Sequence, residues 1–167
     1  MRRVADLLND LVDAGVLRSY AVFGAVAQMR YTEAVVTMDA DVLVAVPKPD
    51  ALDVLGPIYA FCATRGYEPE GEAIRVGDWP VQFIPSFSRL TDAAVDNAEI
   101  ADLEGTPMRV VRAGYLAVIA LSAGRAKDLA RILALLEAGA VADSEIEDLA
   151  KSHGLSSEWE TFKERFE

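Results

Sequence analysis

The sequence predicts an α/β fold, in the broader sense α+β: a small mixed sheet flanked by helices, followed by a C-terminal helical bundle. Three observations lead there. Two apolar strands, residues 20–23 and 42–46, alternate with helical segments in β-α-β-α order. Residues 74–76 and 79–84, joined by Gly77-Asp78 and ended by Pro85, read as a β-hairpin. Beyond Ala113 the apolar residues recur at helical spacing to the end of the chain.

Val4, Leu7, Leu8 and Leu11 stand at i, i+3, i+4 and i+7, so residues 3–14 are expected as an amphipathic helix closed by Gly15. The strand 20–23 follows, then a Gly24-Ala25 turn opening a helix over 25–31. After the second strand, Pro47-Lys48-Pro49-Asp50 introduces a helix over 51–65 that stops at Gly66. Leu52, Leu55, Tyr59 and Cys62 share its face, which makes Cys62 a core thiol; a lone cysteine has no internal disulfide partner. A short helix over 90–97 has Ser88, Thr91 or Asp92 near its cap, and residues 101–111 read as two small strands around Gly105-Thr106-Pro107. The last third reads as helices: 115–123, nearly all apolar and so covered on most sides; one carrying Leu129, Ile132, Leu133 and Leu136; 143–152; and one carrying Leu155, Trp159, Phe162 and Phe166. Residues 1–112 are expected to form the α/β core, with 113–167 a helical segment packed on it. The least constrained boundary lies near residues 100–112.

At 167 residues, 52% of them hydrophobic and 26% charged, the chain is long enough to bury a substantial core. Its apolar runs are too short to span a membrane. Met1-Arg2-Arg3 leads into an amphipathic helix carrying Asp6, Asp10 and Asp13 rather than a signal peptide, which points to the cytoplasm. The formal charge of −11, from 16 basic and 27 acidic residues, disfavours nucleic acid as a partner, because such binding rests on neutralising phosphates. Arg125, Lys127 and Arg131 nevertheless form a local basic patch.

Chemistry is concentrated at Thr37-Met38-Asp39-Ala40-Asp41. Asp39 and Asp41 stand two residues apart at the mouth of the run Val-Leu-Val-Ala-Val, and period two puts them on one face. Two like charges at the end of a buried strand repel unless a cation or a shared proton compensates them, and a divalent metal is the usual solution. Solvated strand-flanking charge is the bland alternative. A Gly24-Ala25 turn opening a helix would offer backbone N–H groups to a phosphate at the same cleft.

Phe23-Gly24-Ala25, a helix, and then Thr37-x-Asp39-x-Asp41 before an apolar strand resemble the signature of the nucleotidyltransferase (polymerase-beta-like) superfamily. Gly124-Arg125-Ala126-Lys127-Asp128-Leu129 resembles the R-x-K-D segment of its abortive-infection-type and minimal branches. The likeness spans roughly residues 20–136. It implies Mg²⁺ on Asp39 and Asp41, and a nucleoside triphosphate contacted by Gly24, Ala25, Thr37, Arg125, Lys127 and Asp128. Asp39, Asp41 and Lys127 would carry the transfer of a nucleoside monophosphate to a hydroxyl acceptor. The superfamily commonly has a third carboxylate on the following strand, linked to activating the nucleophile; the matching position here is Gln82, a poor ligand for a hard cation.

Other chemistries fall away. One histidine and one cysteine cannot build a zinc site, His153 sits at a helix end, no nucleophile-elbow sequence is present, and residues 124–127 lack Walker A spacing. Trp79 and Trp159 read as packing residues. Two functions remain: a Mg-dependent nucleotidyltransferase, or a weak or inactive nucleotidyltransferase-fold binding module with a protein partner, such as half of a toxin–antitoxin pair. Gln82 and the Gly24-Ala25 variant of the turn favour the second; Asp39, Asp41, Arg125, Lys127 and Asp128 favour the first.

Overall fold

The computed structural model describes residues 1–33 and 35–166, and among them run eight helices and one seven-stranded mixed sheet. Helix α1 (Arg2–Asp13) buries Val4, Leu7, Leu8 and Leu11, the residues its periodicity puts on one stripe. It lies against the sheet, with Asn9 tying it to two strands: Tyr20 Oη donates to Asn9 Oδ1 at 2.8 Å, and Asn9 Nδ2 donates to the Pro107 carbonyl at 2.8 Å.

Strand β1 (Ser19–Phe23), helix α2 (Gly24–Gln28) and strand β2 (Ala40–Ala45) follow. Helix α2 is shorter than the expected 25–31. Past Gln28 the chain continues in hydrogen-bonded turns, the Gln28 carbonyl accepting from the Tyr31 and Thr32 backbone N–H groups, and the Tyr31 hydroxyl is anchored far away in sequence, 2.6 Å from Glu99 Oε1.

Helix α3 (Gly56–Thr64) also begins later than the expected residue 51. The Asp53 carboxylate accepts from the Gly56 N–H at 2.8 Å and ends an irregular stretch there. Leu52, expected on the core face, is therefore exposed, whereas Cys62 is buried and its thiol is pushed up to about 11 by burial. A strand that sequence patterning passes over, β3 (Glu68–Glu70), adds three exposed residues to the sheet edge.

Strands β4 (Ala73–Val76) and β5 (Trp79–Pro85) form the expected hairpin. Helix α4 (Arg89–Asp96) carries a capping box between Ser88 and Thr91. Strands β6 (Glu99–Leu103) and β7 (Thr106–Val110) turn through Glu104 and Gly105, both at positive φ. Helices α5 (Ala113–Ala123), α6 (Ala126–Glu137), α7 (Asp143–Ser152) and α8 (Ser156–Phe166) complete the chain. Helix α5 buries seven of its eleven residues; α4, α6, α7 and α8 pack around it. Trp159 and Phe162 stack within the core, and Trp79 packs against it, as packing residues should. His153 caps the C-terminus of α7 and makes an edge contact with the Tyr115 ring.

The strand order is β3-β4-β5-β2-β1-β7-β6. Strands β1 and β2 are antiparallel, so the end of β1 meets the start of β2, with Phe23 opposite Asp41. Strand β5 runs parallel to β2 and sets Gln82 beside Asp41. Parallel pairing of Val22 with Val110 joins the β6–β7 hairpin to the other side of β1. These pairings bring the chemically distinctive residues to one end of the sheet.

Candidate functional site

Asp41 is the second residue of β2, where the apolar run that buries Ala40, Val42, Leu43 and Val44 reaches its open end. Asp39 lies just before the strand. Thr37 is set back from it, its hydroxyl placed to donate to the Asp39 carbonyl at 3.0 Å and to Asp39 Oδ1 at 3.2 Å. Gly24 faces Asp41 across the β1–β2 junction at φ +66°, and a Cβ there would lie 2.5 Å from Asp41 Oδ2. Only glycine meets both demands, the left-handed backbone and the space beside the carboxylate.

A cleft of about 700 Å³ opens over this point. It gathers Gly24, Ala25, Thr37, Asp39, Asp41, Gln82, Arg125, Lys127 and Asp128, so every candidate site residue read from the sequence lines one cavity although they come from four parts of the chain. Burial first, and then the adjacent Asp39 carboxylate, push the Asp41 carboxyl above its ordinary value of 3.8; Arg131, Lys127 and Arg125 pull it back without cancelling the rise.

The basic wall comes from the start of α6. Arg125 is its N-cap residue. Asp128 is 2% exposed; its carboxylate accepts from Arg125 Nε at 2.5 Å and stands 3.6 Å from Arg131 Nη1. Arg131 in turn donates from Nε to Gln28 Oε1 at 3.0 Å, and Gln28 is itself buried. Asp128 thus ties two guanidinium groups together beside the cleft.

The sequence reading passes over Gln28 and the apolar side of the cleft. Phe23, Val35 and Ile84 line that side, and Val36 and Met38 stand 97% and 85% exposed at its edge. A Val-Val-x-Met stretch immediately before an Asp-x-Asp pair is the signal that could have found it, since large apolar side chains in a polar loop are what a binding edge looks like.

No protein-family model and no curated protein sequence matches the chain. Solved structures do match. The solution structure of the antibiotic-resistance factor ANT(2'')-Ia aligns over 99% of this chain and 98% of its own, with a TM-score of 0.54 and 14% identity. The crystal structure of an antigenic nucleotidyltransferase-like protein from Paracoccidioides brasiliensis aligns over 94% and 90%, with a TM-score of 0.55 and 14% identity. The chain has the nucleotidyltransferase fold. At such identities the likeness is one of fold, and the substrates of those proteins remain theirs. Within the nucleotidyltransferase fold of this chain, the Asp-x-Asp strand, the glycine turn and the start of α6 converge on a single cleft. No helix among the described residues is long and apolar enough to cross a membrane.

Proposed function

We propose that the chain binds a nucleoside triphosphate in this cleft and transfers its nucleoside monophosphate to an acceptor, releasing pyrophosphate. One observation carries the reading: the Asp39–Asp41 pair and the Arg125–Lys127–Arg131 wall face each other across one cavity, joined to an apolar edge. A nucleotide presents matching chemistry, with charged phosphates at one end and the flat π face of a base at the other.

The donor set suits one Mg²⁺. Asp41 carries a carboxyl that burial and Asp39 disfavour as an anion, and the missing Cβ of Gly24 leaves room at Oδ2. Among the described residues no cluster of three His, Cys, Asp or Glu is present, which fits an ion held by Asp39 and Asp41 with phosphate oxygens completing its shell. When bound, such an ion supplies Lewis-acid polarisation of the phosphates. Lys127 and Arg125 then neutralise phosphate charge, and Arg131, fixed by Gln28 and Asp128, holds its position without reorganising. Thr37 steadies Asp39, while Val36, Met38, Phe23 and Ile84 shelter the base.

The alternative is a nucleotide- or protein-binding module of the same fold, the form a toxin–antitoxin component could take. The neutral Gln82 amide beside Asp41 favours it. Calorimetry with Mg²⁺ and each common nucleoside triphosphate, alongside a pyrophosphate-release assay, separates the two. Binding with release is the expected result, and Lys127→Ala should weaken binding by roughly tenfold, the loss of one screened phosphate contact. Binding without release under any acceptor favours the module; absence of binding rejects the transferase.

A further inference from the structure

We infer that the acceptor served by this cleft attacks through an oxygen already ionised at neutral pH, a carboxylate or phosphate, and that Gln82 selects it. The inference rests on reading the cleft as a nucleotidyl-transfer site, and it revises the hydroxyl acceptor expected from the sequence.

A hydroxyl nucleophile must lose a proton, and water, a close analogue, has a pKa of about 15.7. Among the described residues the acidic and basic groups lining the cleft are Asp39, Asp41, Asp128, Arg125, Lys127 and Arg131. Asp128 is buried in its arginine contacts, and Asp39 and Asp41 would be engaged by the cation they are proposed to hold. His153 sits at the end of α7 beside Tyr115, and Cys62 is buried in α3, so neither lines the cavity. The residue in register beside Asp41 is Gln82, whose amide cannot take up a proton. A hydroxyl would therefore meet no free general base.

An oxyanion needs none. Gln82 Nε2 can donate hydrogen bonds to it, whereas a carboxylate at the same place could only accept and would repel it. With Gln82 neutral, the three acidic and three basic cleft groups balance; a carboxylate there would tip the cavity negative. In the step itself, an acceptor oxygen lone pair forms the new bond to the α-phosphorus. The bond from that phosphorus to the bridging oxygen breaks, and pyrophosphate leaves with the electron pair. No proton has to be collected in the cleft. A phosphate acceptor yields a phosphoanhydride, and a carboxylate yields an acyl–phosphate mixed anhydride.

The test uses the full chain with Mg²⁺ and the nucleoside triphosphate that binds best by calorimetry. Pyrophosphate release is measured with small nucleophiles that need no dedicated subsite: formate, acetate and inorganic phosphate against methanol and glycerol. The anions should accelerate wild-type release by about tenfold or more while the alcohols do not, a modest share of the 10²–10⁴-fold usual for a well-placed base. With inorganic phosphate, ³¹P spectra should show a nucleoside diphosphate. Gln82→Asp should reverse the preference; Gln82→Glu, the isosteric carboxylate, takes its place if the first variant does not fold, nucleotide binding being the check on both. A wild type that binds nucleotide but prefers alcohols, or responds to neither class, overturns the inference and leaves nucleotide binding standing. No nucleotide binding overturns the transfer reading and this inference with it.

Discussion

Asp41 and Glu99 stand at the same end of the sheet, on β2 and β6, with β1 and β7 between them, yet the fold treats them in opposite ways. Glu99 is provided for. It accepts from the Tyr31 hydroxyl at 2.6 Å and from Arg30 Nε at 2.7 Å, and these bonds hold its carboxyl below its usual value, while burial and Glu99 itself push the Tyr31 phenol well above its own. Asp41 receives no such bond from a described residue and is pushed the other way by burial and by Asp39. A carboxylate whose partners are supplied by the chain closes a structure; one left short of them at a cavity is a place for something from outside.

Asp41 should show the largest effect. Asp41→Asn should reduce nucleotide-dependent pyrophosphate release by roughly 10²-fold or more, beyond the 10–100-fold typical of residues that merely support a metal ligand. It should also raise the melting temperature of the metal-free protein and abolish the gain from added Mg²⁺ and nucleotide. Equal shifts in wild type and variant would return Asp39 and Asp41 to the status of solvated strand-end charges.

Gly24→Ala probes the same point through the backbone. It combines a left-handed φ with a Cβ 2.5 Å from Asp41 Oδ2, so the expected loss is about 2 kcal/mol in chemical denaturation, accompanied by weaker nucleotide binding as Asp41 is displaced. Stability and binding that both match the wild type would show that this approach is slack.

The smaller effect lies at the other carboxylate. Tyr31→Phe removes the hydroxyl shared between Glu99 Oε1 and the Val111 carbonyl and should cost about 1 kcal/mol with no change in nucleotide affinity. The pH dependences have opposite signs. Asp41, raised in the folded state, contributes stability that is full below its unfolded value near 3.8 and is lost as pH rises through its folded value. Glu99, lowered from 4.5, contributes stability present above 4.5 and lost as pH falls through its folded value. Denaturation curves from pH 3 to 7 should therefore lose their decline toward neutrality in Asp41→Asn and part of their acid-side loss in Tyr31→Phe.

Residue periodicity determined α1 and the helical last third, and local turn and cap residues determined the β4–β5 hairpin and α4, because each signal lies within a few neighbouring residues and needs no distant partner to be recognised. The sequence also marked Asp39 and Asp41 at the mouth of an apolar strand and Gly24-Ala25 as a turn opening a helix. Where local bonds overrule the expected pattern, at the Asp53 cap that delays α3 and in the turns that replace regular helix after Gln28, the elements fell short of their expected bounds. Strand β3, with three exposed residues, carries no pattern at all and exists because β4 offers it an edge. Only the tertiary structure decided that β1 and β2 pair antiparallel, placing Gly24 against Asp41, and that parallel β5 sets Gln82 in register beside it. Only it decided that a buried Asp128 ties Arg125 and Arg131 together beside the same cleft, because strand register and helix docking are settled by contacts between residues far apart in the chain, which no local pattern records.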